Sequence, residues 1–170
     1  VITRNSGEGS DREASEGDYY LSALEKQNLK KVTDAFDHVV IVLNVGGVMD
    51  MEYLEEADNV DSIFLMSQAG MRQGVALANI LDGDVSPSGK LSDTWAKDYD
   101  DYASSDGFDD DRDSEDYTDG IYVGYRYFDT FNVTPRYEFG FGESYTDFNI
   151  DLDSVEADTD EVTVKATVTN

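Results

Sequence analysis

The chain has 170 residues, with 12 Lys and Arg against 38 Asp and Glu, so its formal net charge is −26. A surface that negative repels phosphate backbones and anionic lipid, which disfavours nucleic-acid and membrane-surface binding. Its hydrophobic fraction of 39% argues against wholesale disorder, and the absence of cysteine removes disulfide scaffolds and thiolate zinc sites.

Val1-Ile2-Thr3 reads as the end of a β-strand, with neither an initiator Met nor a signal peptide before it. The expectation is a fragment of a longer protein. Residues 5–20 are polar and Gly-rich and predict a loop. Ser22 followed three residues later by Glu25 is a capping box, and a helix carrying Leu24, Leu29, Val32, Ala35 and Phe36 follows it. Val39 to Leu43 is a continuous apolar run, as in a strand buried on both faces of a parallel sheet. A short helix is expected around 53–57, and a second buried strand over Ser62-Ile63-Phe64-Leu65-Met66. Gly70 leads into a helix through Val75, Ala76, Leu77, Ile80 and Leu81, with Gly83 placed just after its end, where φ is often positive. Strands alternating with helices predict an α/β fold with a mostly parallel sheet, its first strand truncated.

After Trp95 the composition changes. Residues 98–119 hold eleven acidic residues against the single Arg112, which predicts a solvated or disordered acidic loop. Aromatic residues crowd the stretch from Tyr122 to Phe148, read as irregular but packed on the domain. From Asp151 onward the pattern alternates as in a strand, up to Val162–Asn170, and is expected to open a separate β-domain. No apolar run approaches the ~20 residues that a membrane helix needs.

Few residues carry chemistry on their own. Gly83 to Lys90 fails as a phosphate-binding loop, because its glycines are wrongly spaced and Leu91 stands where a magnesium-binding hydroxyl belongs. His38 is the only imidazole, and without a Gly-x-Ser-x-Gly elbow it makes a poor hydrolase base. Asp109, Asp111 and Asp113 have calcium-loop spacing, but Ser114 and Gly120 occupy the positions that need Gly and Glu. Trp95 suits either a sugar-stacking platform or core packing, with packing favoured. In Ser6-Gly7-Glu8-Gly9-Ser10-Asp11-Arg12 one carboxylate lies between two glycines, whose backbone freedom can project Glu8 into a cleft. Arg12 can pair with Asp11 and brace that loop, or tune a nearby carboxylate.

Arg4-Asn5-Ser6-Gly7-Glu8-Gly9-Ser10-Asp11-Arg12 with Gly17-Asp18-Tyr19-Tyr20-Leu21-Ser22 resembles the second domain of family 3 glycoside hydrolases, the β-glucosidase and β-xylosidase group. Further blocks agree in order: Gln68-Ala69-Gly70, Gly83-Asp84 through Gly89-Lys90-Leu91, Gly120 to Phe128, and Phe139-Gly140-Phe141-Gly142. The resemblance implies a three-layer α/β sandwich over residues 1–150 and the start of a fibronectin type III-like domain over 151–170. It implies a retaining, exo-acting β-glycosidase in which Glu8 is the general acid/base. The Asp nucleophile would lie on an N-terminal TIM-like barrel of the same parent chain. The substrate would be a β-linked glycoside, no cofactor is implied, and the fragment alone is expected to be inactive. The alternatives are a non-catalytic carbohydrate-binding or structural module of the same fold, and a calcium-dependent module built on the acidic loop.

Overall fold

Ser22 starts the first helix, as its spacing predicts. Its hydroxyl accepts the Glu25 N–H at 3.3 Å, while Glu25 Oε2 accepts the Ser22 N–H at 2.9 Å. Two of the otherwise unpaired donors at a helix start are thereby satisfied. In the computed structural model, which describes residues 1–4, 12–106, 113–114 and 116–170, this helix α1 spans Ala23–Ala35.

Strands β1 (Ile2–Thr3), β2 (Val39–Asn44) and β3 (Val60–Leu65) form a parallel sheet in that order. Ile2 pairs with Leu43, and Ile41 pairs with Ile63. Helix α1 connects β1 to β2, and the short α2 (Glu52–Glu55) connects β2 to β3. This is the α/β architecture that alternating strands and helices predict. Val39, Ile41 and Leu43 project from one face of β2 into a core with Leu21, Val45, Met49, Met51, Leu54 and Trp95, and Leu29 of α1 packs against it.

Burial differs from the expectation of strands enclosed on both faces. Val42 is buried, but Val40 is 44% exposed. In β3, which begins two residues earlier than expected, no residue is fully buried. Among the described residues it is an edge strand, paired only with β2. Helix α3 (Gln73–Leu81) occupies the expected segment, although none of its residues is buried. Gly83 after it has φ +80°, the left-handed geometry that favours glycine.

Two other expectations need correction. The acidic stretch is not solvated throughout. Its start forms a single 3-10 turn over Tyr99–Asp101, and the Tyr102 hydroxyl accepts the Ala96 N–H at 3.0 Å. The Tyr102 ring meets Phe128 edge-on at 6.1 Å, and burial pushes its phenol pKa up to about 12. An aromatic anchor therefore outweighs the local charge. The aromatic block, read as irregular, contains helix α4 (Tyr125–Phe131). Aromatic side chains favour strands, which hides a short helix from a reading by composition. Asn132 ends it in the left-handed conformation with φ 56°.

Trp95 is 3% exposed, so it belongs to the core and offers no face to a sugar. Backbone hydrogen bonds join its strand-like segment to the aromatic block, from Trp95 N to Tyr137 O at 2.9 Å and from Leu91 N to Phe141 O at 2.8 Å. At the tail, β4 (Asn149–Ala157) and β5 (Val162–Thr169) pair antiparallel, and their Ile150, Leu152, Val155, Val164 and Val168 side chains are exposed. No helix among the described residues is long and apolar enough to cross a membrane.

Candidate functional site

Three loops leave the C-terminal ends of the parallel strands, the edge where open α/β sheets place their ligands. The loop after β1 holds the candidate acid/base Glu8, which lies outside the described residues, as does Asp11. Both flanks of that segment, Arg4 and Arg12, are described.

Arg4 extends the β1 ladder, its N–H donating to Asn44 O at 3.3 Å. Its side chain is only 4% exposed and donates to Glu25 Oε1 at 2.6 Å and Oε2 at 3.0 Å. It also donates from Nε to the Asp18 carbonyl at 2.8 Å. A guanidinium buried this deeply needs a paired anion, and the fork geometry of Arg matches a carboxylate with two parallel bonds. From the loop after β3, the Gln68 side chain donates to Arg4 O at 3.4 Å.

Arg12 holds the other end. Its Nη1 donates to Asp18 Oδ1, and the Glu13 N–H donates to Asp18 Oδ2 at 2.8 Å. Among the described residues Arg12 pairs with Asp18, while the Asp11 named as its possible partner lies outside them. The Arg12 stem lies along the loop after β2, where a Cβ added to Gly47 would stand 3.5 Å from its Nε. The same loop is tied back by the Asp50 N–H, which donates to Tyr19 O at 2.9 Å. Arg12 Nη2 and Asn44 Oδ1 are among the buried side-chain atoms that have no hydrogen-bond partner among the described residues.

Electrostatics follow from this geometry. Partial burial pushes the Asp18 carboxyl up, but the Glu13 N–H and the two arginines outweigh it and leave its pKa below the ordinary 3.8. Glu25 behaves alike. Burial raises it, and hydrogen bonds from Arg4 and Ser22 bring it below 4.5. Both carboxylates stay ionised and compensate both guanidiniums.

Sequence reasoning placed Glu25 in a capping box and Arg4 and Asp18 in family-like blocks, but it did not pair Arg4 with Glu25 or bring Arg4 and Arg12 to Asp18. The available signal was the scarcity of cations. An Arg directly after an apolar strand, in a chain with 12 basic residues against 38 acidic ones, invites a search for its buried partner.

The remaining candidates separate from this edge. His38 sits at the start of β2, the opposite end of the sheet, and is 84% exposed in its side chain. Its Nδ1 lies 3.2 Å from Asp61 Oδ2, an exposed pair. Among the described residues no three His, Asp or Glu side chains form a group able to hold a metal. Asp109 and Asp111 lie outside the described residues, so only Asp113 of the calcium candidates is placed.

Residues 1–145 match the family model for the glycosyl hydrolase family 3 C-terminal domain. The chain belongs to that family. Beta-glucosidase A of Butyrivibrio fibrisolvens is 42% identical to it across 87% of this chain. A beta-glucosidase of Ruminococcus albus is 43% identical across 100% of it. The chain spans only 21% and 18% of these two relatives. Among solved structures, a beta-glucosidase from Paenibacillus barengoltzii superposes with a TM-score of 0.89 at 38% identity, over 99% of this chain and 19% of its own. Beta-glucosidase 3B from Thermotoga neapolitana, in complex with glycerol, gives 0.86 at 39% identity, over 98% and 24%. The α/β fold of this family 3 domain is thus shared with beta-glucosidase chains of which it spans 19% and 24%.

Proposed function

We propose that this chain is the acid/base-bearing part of a retaining, exo-acting β-glucosidase, with Glu8 as the general acid/base. The observation that carries the reading is the anchoring of Arg4 and Arg12. Both ends of the Gly-flanked Glu8 loop are held at the sheet edge where ligands bind. The names of the relatives support the substrate class.

In this reading a β-glucoside sits between two domains of one parent chain. The nucleophile, an Asp, is supplied by the N-terminal barrel and attacks the anomeric carbon. Glu8, protonated at the outset, donates its proton to the leaving glycosidic oxygen as that bond breaks. It then accepts a proton from water, whose oxygen displaces the Asp from the sugar. Two carboxyls about 5–5.5 Å apart suit this double displacement. The acid needs a raised pKa, and compensation of Arg12 by Asp18 removes a bare cation that would lower it. The β4–β5 hairpin, with apolar side chains open on it, supports reading residues 151–170 as the start of a further β-domain.

The test is the Glu8→Ala variant of the full-length parent, assayed on a glucoside with a poor leaving group and on its dinitrophenyl counterpart. Loss of roughly 10²–10⁴-fold on the first, a retained glycosylation step on the second and rescue by azide are expected. Equal losses on both would sink the role. The isolated chain, lacking a nucleophile, should turn over neither substrate.

A further inference from the structure

We propose that helix α3 is an interface helix, covered in the full-length parent by an apolar helical segment of the same chain that lies outside these 170 residues. From Ser62 through Leu81 the sequence holds no Asp or Glu and a single charge, Arg72, in a chain where 38 of 170 residues are acidic. That stretch takes in most of β3 and the whole of α3. A charge-free surface on so acidic a chain marks a place of contact. A nine-residue helix is too short to hold by its own propensity and depends on packing. The usual supports are missing from its start and its flanks. Arg72 makes no side-chain cap, the first turn has no acidic residue and the last turn no basic one. No residue of α3 is buried: Leu77 and Ile80 are half-buried, Val75 is 53% exposed and Leu81 48%. Its last turn is fastened, because the Gly83 N–H and the Tyr145 hydroxyl donate to Ile80 O at 3.0 and 2.5 Å. Helix α1, by contrast, has the capping box and the exposed Lys30–Asp34 pair of a helix that faces water. A helix apolar around most of its circumference belongs inside a protein. The sheet has the same deficit. Val40, on the face opposite Ile41 and Leu43, is exposed, whereas parallel sheets are covered on both faces. A second copy is a poor occupant, since it would set one net charge of −26 against another. A tethered segment meets the face at high effective concentration. The chain spans 21% and 18% of two relatives, so such proteins carry most of their length elsewhere.

Solvent access to α3 in the full-length parent is the test. Activity on β-glucosides is not the readout, so the role of Glu8 does not enter. Val75→Cys and Leu81→Cys place thiols on the open side of α3, and Lys30→Cys places one on the exposed side of α1 as a reference. These 170 residues contain no native cysteine, so mass spectrometry of the peptides identifies each label. Iodoacetamide should alkylate both α3 thiols at least about tenfold more slowly than the reference, because the cover must open first. The protection should survive dilution of the protein and vanish in urea. Labelling as fast as at Lys30→Cys would overturn the proposal, since the face is then open to water. Protection that disappears on dilution, as light scattering reports a dimer becoming a monomer, would give the face to a second copy and overturn it as well. Should either α3 variant not fold, hydroxyl-radical footprinting of Met71 and Leu81 in the wild-type parent makes the same comparison, native against urea-unfolded. Met71 is fully exposed on this chain, so slower oxidation in the native parent is expected and equal oxidation in both states overturns the cover.

Discussion

Arg4 and Glu25 join across 21 residues of chain through two parallel hydrogen bonds, Nη1 to Oε1 at 2.6 Å and Nη2 to Oε2 at 3.0 Å. The same Glu25 carboxylate closes the capping box of α1. One side chain therefore couples the entry of the Glu8 loop to the start of a helix. Glu25→Ala leaves a guanidinium that is 4% exposed in its side chain without an anion. Breaking such a pair costs about 3–5 kcal/mol. In the full-length parent, hydrogen exchange at the amides of 18–25 should quicken markedly, and Glu25→Gln, which keeps the acceptors, should lie between. No change with Glu25→Ala would mean that the pair contributes nothing.

Ser22→Ala removes only the hydroxyl half of the box. The expected loss is about 1 kcal/mol, clearly smaller than for Glu25→Ala. Ranking the two variants by thermal melting checks the order.

Acid should loosen the clamp. Asp18 and Glu25 are both held below their ordinary values of 3.8 and 4.5. A depressed carboxylate binds fewer protons folded than unfolded, so its stabilisation is full above those values. It is lost as pH falls through the folded pKa. The stability difference between wild type and Glu25→Gln should therefore hold near pH 7 and shrink steadily below about pH 4.5. A difference that grew on acidification would contradict the assignment.

A further ion pair joins α2 to the aromatic stretch. Glu55 accepts from Arg136 Nη1 at 2.6 Å and from the Tyr137 hydroxyl. Arg136 is 17% exposed in its side chain. Glu55→Ala should cost about 3 kcal/mol by stranding that cation, and Tyr137→Phe only about 1. Unfolding midpoints of the two variants give the comparison, and equal effects would contradict it.

Gly142 stands where a side chain has no room. A Cβ there would lie 2.5 Å from the Gly89 carbonyl and 3.0 Å from Lys90 Cδ. A Cβ on Gly89 would meet open space. Gly142→Ala should destabilise by about 1–3 kcal/mol, as overpacking does, while Gly89→Ala is tolerated.

Signals between neighbours in sequence were readable, and those across the fold were not. The Ser22–Glu25 spacing predicted its helix because both partners lie within one turn. The Val39–Leu43 run predicted its strand because continuous burial leaves a compositional trace. The exposure of Val40 left none, since it depends on what covers the strand. The Arg4–Glu25 pair and the convergence of Arg4 and Arg12 on Asp18 need the parallel pairing of β1 and β2 before they exist. Helix α4 was hidden by its own aromatic content. Of the candidate site, the sequence pattern pointed to the loop, whereas its supports became visible only in three dimensions.

The shielding of the two arginines has a consequence in brine. Lys30–Asp34 has side chains 67% and 61% exposed, so mobile ions weaken it readily. Arg4 and Arg12, with side chains 4% and 16% exposed, are largely out of reach of those ions. The same ions relieve the mutual repulsion of a chain carrying −26 charges. Concentrated electrolyte thus strengthens the body of the domain while sparing the anchorage of its loop, and salinity becomes a condition under which the fold tightens.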